Sequence, residues 1–243
     1  VLGMNDDAIR ELFGQVPYFV DQIIEKYEPL DEIVRQFITS SYWSDQASIN
    51  LVDVCGTAHS DYAGMTWREF LSKGRRMEGN IGAFKRNPNY YTDAAIKRLP
   101  SMHFLRQGSK TFIGEDGNHR TCIGKLYLYS LGHAYIHQVT LIENSIDWPF
   151  YELYRRLDAV AGEKWHISAR RESTRREDGP GWKRDFFETN VQVVDRAQRS
   201  QWSWNREQLD AELPELEAVS RKSHRNTLLS RLFRCRRSAQ EPI

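Results

Sequence analysis

The sequence has few cysteines and no long hydrophobic run, and both absences narrow the class of protein. Its 243 residues include three cysteines, Cys55, Cys122 and Cys235, which are widely spaced and odd in number. They form neither a metal-binding spacing nor a disulfide framework, so we expect a cytoplasmic protein in a reducing environment. No apolar stretch is long enough to span a bilayer, and the N-terminus shows no signal-peptide pattern.

The net charge and the absence of repeats exclude few further classes of protein. The formal net charge is +1, and the sequence has no internal repeat and no low-complexity block. A hydrophobic content of 40% with 12% aromatic residues is sufficient for a packed core and excludes a wholly disordered chain. A chain of this length can build one large domain, or a compact core with an appended subdomain.

The most informative stretch runs from Lys110 to Glu143. Residues 111–113 are β-forming, whereas 114–118 are rich in glycine and acidic residues, which favour a tight turn. From Arg120 onward the apolar residues recur every three or four positions, as is typical of an amphipathic helix. A second β-rich run, 135–143, follows directly. The stretch therefore predicts the order strand, turn, helix, strand.

The predicted turn contains residue types that are typical of a phosphate-binding site. The first turn of a helix leaves backbone N–H groups without helical partners and carries the positive end of the helix dipole. Gly117 permits close backbone approach, and His119 and Arg120 add donors suited to phosphate oxygens. Glu115 and Asp116 are candidate ligands for a divalent metal beside that phosphate. The alternative is ordinary helix capping.

The same residues resemble the ParB/sulfiredoxin superfamily, whose members place a D-G-x-H-R or G-G-C-H-R loop between a strand and a helix. The resemblance extends over residues 99–143 and implies an α+β fold, with a mixed sheet and flanking helices. In that superfamily the loop holds the phosphates of a nucleotide or forms the cleavage site of a nuclease. Sulfiredoxins carry their nucleophilic cysteine where this chain has Asn118, so the resemblance does not predict sulfinic acid repair.

The resemblance implies a ParB-like phosphoryl-transfer or phosphodiester-cleaving enzyme, a DNase, an ATPase or both, as expected of plasmid fertility-inhibition proteins. Glu115, His119 and Arg120 are the expected catalytic residues, Mg²⁺ the expected metal, ATP or another nucleotide a cofactor, and single- or double-stranded DNA a partner. A nucleotide-responsive DNA-binding protein of regulatory or partition type, without significant catalysis, is the alternative. The expected phosphate-binding residues are Lys110, Asp116, Gly117, Asn118, His119, Arg120 and Thr121.

A second candidate surface lies at residues 73–91, where basic residues alternate with glycines and aromatic residues. Basic side chains neutralise phosphates and aromatic rings stack on exposed bases, so the pattern suits single-stranded nucleic acid. A solvated glycine-rich loop whose aromatic residues cover the core is an equal alternative. Glu78 is a candidate metal ligand together with Glu115 and Asp116. The predicted nucleic-acid-binding residues are Lys73, Arg75, Arg76, Lys85, Arg86 and Tyr90.

The remaining sequence predicts three domains. Residues 4–48 carry apolar residues at helical spacing and predict a cap of three helices. Residues 49–160 form the predicted ParB/sulfiredoxin-like core, which starts with a strand at 49–55. It continues with a capping box from Thr66 to Glu69 and includes a hairpin between 102–106 and 111–113.

The third predicted domain, residues 161–243, is a C-terminal extension. It has two short strands joined by a charged connection at 170–181, and then a helix that starts near Pro214. It ends in a basic helical tail over residues 221–237. Such a tail suits nucleic acid, an acidic protein partner or a membrane face, and an unstructured solubilising tail is the alternative of equal weight.

Overall fold

The computed structural model describes residues 4–95, 101–162, 165–195 and 197–223. These residues form an α+β fold in which a mixed parallel and antiparallel sheet carries flanking helices, and this level of the prediction is confirmed. Within the described ranges, no helix combines the length and the apolar composition that crossing a membrane requires. The predicted basic tail beyond Ser223 lies outside these ranges.

The described part of the chain contains eight helices and nine strands, with a short 3-10 helix at Leu51–Asp53. In chain order they are α1 (Asp6–Phe13), β1 (Glu25–Lys26), α2 (Glu32–Arg35), β2 (Ile38–Asn50), β3 (Val54–Thr57), α3 (Trp67–Lys73), α4 (Met77–Arg86), α5 (Asn89–Thr92), β4 (His103–Gln107), β5 (Lys110–Ile113), α6 (Asn118–Ser130), β6 (Tyr135–Ile146), α7 (Trp148–Ala161), β7 (Trp165–Gly179), β8 (Trp182–Asp195), β9 (Ser200–Trp204) and α8 (Arg206–Ser223).

The chain divides into two compact units, and the division differs from the predicted domain boundaries at 48/49 and 160/161. The difference arises because the chain passes from one unit to the other within four strands, β2, β6, β7 and β8. Unit 1 comprises Val1–Leu30, Ser40–Ser145 and Arg175–Phe186, and unit 2 comprises Asp31–Thr39, Ile146–Thr174 and Phe187–Ile243.

The sheet of unit 1 has the strand order β1-β3-β5-β4-β6-β2-β8-β7. Strands β1, β3 and β5 are parallel to one another, and β4 is antiparallel to β5 and parallel to β6. Parallel neighbours end at the same edge of a sheet, which is where open α/β sheets commonly bind ligands. The loops that follow β3 and β5 therefore lie next to each other.

Helix α6 is the central helix of unit 1. It contacts α1, α3, α4 and α5, and eight of its 13 residues are buried. The core around it includes Trp67, Phe70 and Leu126, each at most 1% exposed. Gly124 permits the close approach of α5, because a Cβ atom there would lie 2.7 Å from the ring of Tyr91. The predicted helix is confirmed, but it is buried on most sides rather than on one face.

Unit 2 has its own hydrophobic cluster. Helices α7 and α8 pack against each other, and an ion pair joins Arg156 to Glu217 at 2.9 Å. Phe37 is fully buried and packs edge-on against Phe150, with ring centroids 5.2 Å apart. Strand β9 pairs antiparallel with β8. Asp147 caps α7 by accepting a hydrogen bond from the N–H of Phe150.

The predicted N-terminal cap of three helices is wrong beyond α1. Residues 18–27 form turns and β1, and the third predicted helix is limited to the four residues of α2. The 13 residues of β2 follow instead, and they include β-forming Tyr42 and Trp43. The strand predicted at 49–55 is interrupted by a 3-10 turn, because the side chain of Asn50 accepts a hydrogen bond from the N–H of Val52.

Two predicted loops and one helix start are also wrong. Residues 73–91, for which a solvated glycine-rich loop was one of two equal alternatives, contain α4 and α5. The charged connection at 170–181 belongs largely to β7, where Arg175 lies over the ring of Phe186 at 4.1 Å, so charged side chains stabilise a strand pair there. Pro214 lies inside α8 rather than at its start. The hairpin of β4 and β5 and the capping box at Thr66 are confirmed.

Candidate functional site

The turn between β5 and α6 is held in place by His103, a residue of β4 that the sequence did not single out. The N–H of Gly114 donates to the carbonyl of His103 at 2.7 Å, and the N–H of His103 donates to the carbonyl of Asp116 at 3.0 Å. The imidazole Nδ1 accepts from the N–H of Glu115. Burial lowers the pKa of His103, which favours the neutral ring that can accept this bond.

Gly114 and Gly117 are required by the shape of the turn. A Cβ atom on Gly114 would collide with the imidazole of His103. Gly117 has a φ of +105°, and a Cβ atom there would lie 2.8 Å from the side chain of Met102. The carboxylate of Asp116 accepts a hydrogen bond from the N–H of Gly117 at 2.6 Å, which fixes the entry into α6.

The start of α6 has the properties of an anion site. Gly117 occupies the N-cap position, and in the described structure no side chain caps the helix there. The first turn of α6 also contains no acidic residue. The first helical bond runs from the N–H of Thr121 to the carbonyl of Gly117 at 2.7 Å. The N–H groups before it have no helical partner by geometry, and the helix dipole adds a positive partial charge.

Arg120 brings a full positive charge to this helix start. Its Nη2 donates to the Asp116 carboxylate at 2.9 Å, and its Nη1 donates to the hydroxyl oxygen of Tyr90 at 3.0 Å. The side chain is 23% exposed. The guanidinium is therefore oriented by one residue of the turn and one residue of α5 while part of it remains in contact with solvent.

His119 faces the interior rather than the turn. Its ring packs against Phe70 and Tyr62, with centroid distances of 5.2 and 5.5 Å, and Tyr62 in turn stacks on His59. Burial lowers the pKa of His119, although a hydrogen bond with the backbone of Arg75 opposes the shift. A neutral, inward-facing imidazole is not where a proton donor to a phosphate at the turn is expected.

Asn118 and Thr121 also direct their side chains inward. Asn118 is 7% exposed, and its amide oxygen accepts a hydrogen bond from the hydroxyl of Thr57 at 2.6 Å. Thr57 also accepts from the N–H of His59. Thr121 is fully buried. These side chains were predicted to bind phosphate, but Asn118 joins the end of β3 to α6, and the hydroxyl of Thr121 donates to the sulfur of Met102.

Lys110 lies at the opposite end of β5 from the turn. Ile113 is three positions further along the extended strand, a distance of about 10 Å. Its amine forms an ion pair with Glu25 at 2.6 Å, and this pair raises the pKa of Lys110. Lys110 was predicted to bind phosphate at the turn, but it stands at the beginning of the strand that precedes the turn.

The predicted metal ligands do not form a metal site in the described residues. Glu115 is exposed, Asp116 is bound to Arg120, and Glu78 lies in the first turn of α4. Over the described ranges, no group of three or more His, Cys, Asp and Glu side chains is arranged to hold a metal ion. The donor set present there does not fit a resident metal.

The predicted nucleic-acid-binding residues lie on three helices, α3, α4 and α5, and on the connection between α3 and α4. The five basic residues are all exposed, and Lys73 pairs with Glu69 at 3.2 Å. Lys85 and Arg86 occupy the last turn of α4, where positive charge is favoured by the helix dipole. Arg75 and Arg76 precede α4, and Tyr90 is placed on α5 beside Arg120.

A cavity that the sequence did not predict lies beside Arg120. Its volume is about 220 Å³, it opens to solvent, and it is lined by residues of α4, α5, their connection and α6. A loop at 73–91 would not form this cavity, which is present only because α4 and α5 pack against α6. The lining residues are Asn80, Ala83, Phe84, Asn87, Tyr90, Tyr91 and Arg120.

Lys125 is a buried cation on the inner side of α6. It is 1% exposed, and its amine donates to the carbonyls of Val52 and Val54 at 2.6 and 2.8 Å. The rings of Phe19 and Trp67 flank the amine at 4.6 and 4.9 Å. Desolvation lowers the pKa of Lys125 to about 8. The amine therefore connects α6 to the segment before and within β3.

No protein-family model and no curated protein matches this sequence, and no solved structure matches its fold. The function proposed below therefore rests on the geometry of the turn and on the contacts of Arg120. It also rests on the resemblance between the Asp-Gly-Asn-His-Arg sequence and the loop of the ParB/sulfiredoxin superfamily.

Proposed function

We propose that this protein binds the phosphate of a nucleotide or of DNA at the start of α6 and acts as a ParB-like phosphoryl-transfer or phosphodiester-cleaving protein. The observation that carries the proposal is the placement of Arg120, which is held by Asp116 and Tyr90 beside a helix start that no side chain caps in the described structure. Backbone N–H groups and a guanidinium together favour a phosphate over a neutral ligand.

The proposal extends to the fold and the setting. The segment from β4 to β6 is proposed to be a ParB/sulfiredoxin-like core, because it places the Asp-Gly-Asn-His-Arg turn between a strand and a helix. The expected environment is the cytoplasm. The expected biological role is in plasmid conjugation or fertility inhibition, and this part of the proposal rests on the sequence resemblance alone.

The chemistry expected at the site is electrostatic. Arg120 and the N–H groups of the first turn stabilise negative charge that develops on the phosphoryl oxygens. Glu115 is the exposed carboxylate next to the turn, and its proposed role is to position the attacking water. If a divalent ion takes part, it enters with the phosphates of the ligand, since the described protein groups do not assemble a site of their own.

The second candidate is a nucleotide-responsive DNA-binding protein without significant catalysis. The position of His119 favours it, because the imidazole packs against Phe70 and its pKa is lowered by burial. The expected acid–base residue is then absent from the phosphate, while the binding groups remain. Hydrolysis distinguishes the two candidates, and binding is common to both.

Replacing Arg120 with alanine tests the proposed site. We expect the affinity for ATP, for inorganic tripolyphosphate and for a DNA oligonucleotide to fall by about tenfold or more, because the variant cannot form a charge-assisted hydrogen bond to phosphate. Isothermal titration calorimetry measures each affinity, with and without Mg²⁺. Arg10→Ala is a matched control, since Arg10 also pairs with an aspartate four residues earlier, Asp6, on the surface helix α1.

The results separate the candidates. Unchanged phosphate affinity in Arg120→Ala, or no phosphate binding by the wild type, would remove the proposed site. Hydrolysis of ATP or DNA that is lost in Glu115→Gln while binding is retained would support the enzyme. Binding without any hydrolysis, tested with and without Mg²⁺, would favour the regulatory protein.

A further inference from the structure

The cavity beside Arg120 has aromatic walls. Tyr90 and Tyr91 are adjacent on α5 with their rings almost perpendicular, and Phe84 of α4 packs edge-on against Tyr91 at 5.8 Å. Tyr91 and Phe84 are buried, and Tyr90 is half-buried. Flat rings in such an arrangement favour a flat, apolar ligand, because ring faces and edges attract each other at these distances.

The size of the cavity limits the ligand to one ring system. A cavity of about 150 Å³ lined by apolar side chains is large enough for benzene, and pockets for whole drug-sized ligands begin at about 300 Å³. A volume of about 220 Å³ therefore fits one planar base and excludes a complete nucleotide. Any larger ligand must extend out of the cavity.

Polar groups are present at the same cavity. Asn80 and Asn87 contribute side-chain amides, which combine a donor and an acceptor as the edge of a base does. The amide nitrogen of Asn80 donates to the carbonyl of Arg76 at 2.8 Å, which orients this side chain. A few polar groups on a mainly apolar wall are typical of sites that select a ligand by its edge.

Tyr90 connects the cavity to the start of α6. It lines the cavity, and its hydroxyl oxygen lies 3.0 Å from Nη1 of Arg120. Arg120 lines the cavity as well, and its other terminal nitrogen is bound to Asp116, directly before Gly117. An aromatic cavity and a phosphate-binding helix start thus share one guanidinium.

We infer that the cavity between α4, α5 and α6 binds the base of the ligand whose phosphate lies at the start of α6. The ligand class is a nucleobase attached to a phosphate, and it is supplied either by a free nucleotide or by an unstacked base of a single strand. The inference rests on the proposed function for its phosphate half. It adds that the protein distinguishes a nucleotide from an inorganic polyphosphate.

Filling the cavity tests the inference. Ala83 lines the cavity from α4 and its own side chain is exposed, so Ala83→Phe adds a ring at the wall of the cavity without disturbing the core. We expect wild type to bind ATP about tenfold or more tightly than tripolyphosphate, because a stacked base contributes at least this much. In Ala83→Phe the two affinities become equal, and the affinity for tripolyphosphate is unchanged. Ala159→Phe, on the exposed side of α7, is the matched control.

Two further ligands distinguish a base supplied by a free nucleotide from a base supplied by a single strand. A thymidine oligonucleotide is compared with an abasic oligonucleotide of the same length, by fluorescence anisotropy. A single-strand ligand predicts tighter binding of the thymidine oligonucleotide, which Ala83→Phe abolishes. A free-nucleotide ligand predicts this effect for ATP and none for the oligonucleotides.

The outcomes distinguish this inference from the proposed function. Equal affinities of wild type for ATP and tripolyphosphate, with no preference for thymidine over abasic strands, would overturn the inference and leave the phosphate site intact. A preference that survives in Ala83→Phe would overturn it as well. Binding of adenosine that Ala83→Phe abolishes, without binding of tripolyphosphate, would support the cavity and overturn the phosphate site.

Discussion

Lys125 places an amine inside the core of unit 1, and this single residue makes stability depend on pH in an uncommon direction. The amine is bonded to two backbone carbonyls and lies between two aromatic rings, which offsets part of its desolvation. The remaining cost appears as a pKa that falls from 10.5 to about 8. Folding therefore favours the neutral amine relative to the unfolded chain.

The sign follows from the protons bound in each state. Between pH 8 and 10.5 the unfolded chain still holds the Lys125 proton that the folded chain has released, so this group makes stability rise with pH across that window. The upper limit is about 3 kcal/mol. Burial raises the pKa of Cys122 and of Tyr91, and both act in the opposite direction.

Replacement of Lys125 with methionine isolates this effect. We expect the variant to be less stable than wild type at pH 7.5 by roughly 1–3 kcal/mol, because the carbonyls of Val52 and Val54 lose a buried donor. The deficit grows when the pH is raised to 10, since only wild type gains from releasing the proton. Urea denaturation at the two pH values measures the difference, and a deficit that does not grow with pH would contradict the assignment.

Among the elements, the segment from β4 to β6 was predicted correctly because the sequence signals along it agree with one another. Turn residues follow a β-forming run, helical spacing follows the turn, and Gly132 adopts a φ of +70° after the end of α6. The helices within residues 73–91 were not predicted, because glycines favour loops, although Gly79 and Gly82 lie inside α4. Tertiary packing on α6 compensates for their low helix propensity.

The candidate site was predicted only as far as it is local in sequence. Gly117 and Arg120 stand where the turn pattern places them. His103 and Thr57, which hold the turn, come from β4 and β3, and no local pattern indicates a hydrogen bond between Thr57 and Asn118 across 61 positions. The inward orientation of His119 depends on Phe70, a residue of α3, and was equally beyond a pattern in the turn.

Two glycine substitutions contrast a turn with a helix. Gly117→Ala is expected to destabilise by roughly 1–3 kcal/mol, because it combines a φ of +105° with a close approach to Met102. Gly79→Ala is expected to stabilise by roughly 0.5–1 kcal/mol, because it lies within α4 and a Cβ atom there meets nothing within 4 Å. Thermal unfolding of both variants measures this, and shifts of the same sign would contradict the geometry of one of the two elements.

Across the whole molecule, charge is divided more unevenly than the net value of +1 indicates. Residues 224–243 carry five arginines and one glutamate, a charge of +4, so residues 1–223 sum to −3. Arginines attract phosphates over distances set by the salt concentration. A nucleic acid strand is therefore expected to depend on residues 224–243 more strongly than a mononucleotide does.

Deletion of residues 224–243 tests this division. We expect the shortened chain to bind a single-stranded oligonucleotide more weakly at low salt. The slope of log affinity against log salt concentration should become shallower by about 0.7 for each phosphate that the deleted arginines neutralise in the full chain. The affinity for ATP should remain the same, because the proposed site lies within residues 80–121. Anisotropy titrations over a salt series measure the slope, and identical slopes for both chains would exclude the tail as a nucleic-acid-binding segment.

The discontinuity of unit 1 has a consequence for synthesis on the ribosome. Strand β2 can pair fully with β8 only after Phe186 has been synthesised. Phe186 is 41 residues beyond Ser145, the last residue of the preceding segment of unit 1. At about 5–20 residues per second, roughly 2–8 seconds pass during which one side of β2 has no partner. An unpaired strand edge recruits other chains. The nascent polypeptide is therefore most vulnerable to aggregation in that interval, and slow translation of codons 146–186 would lengthen it.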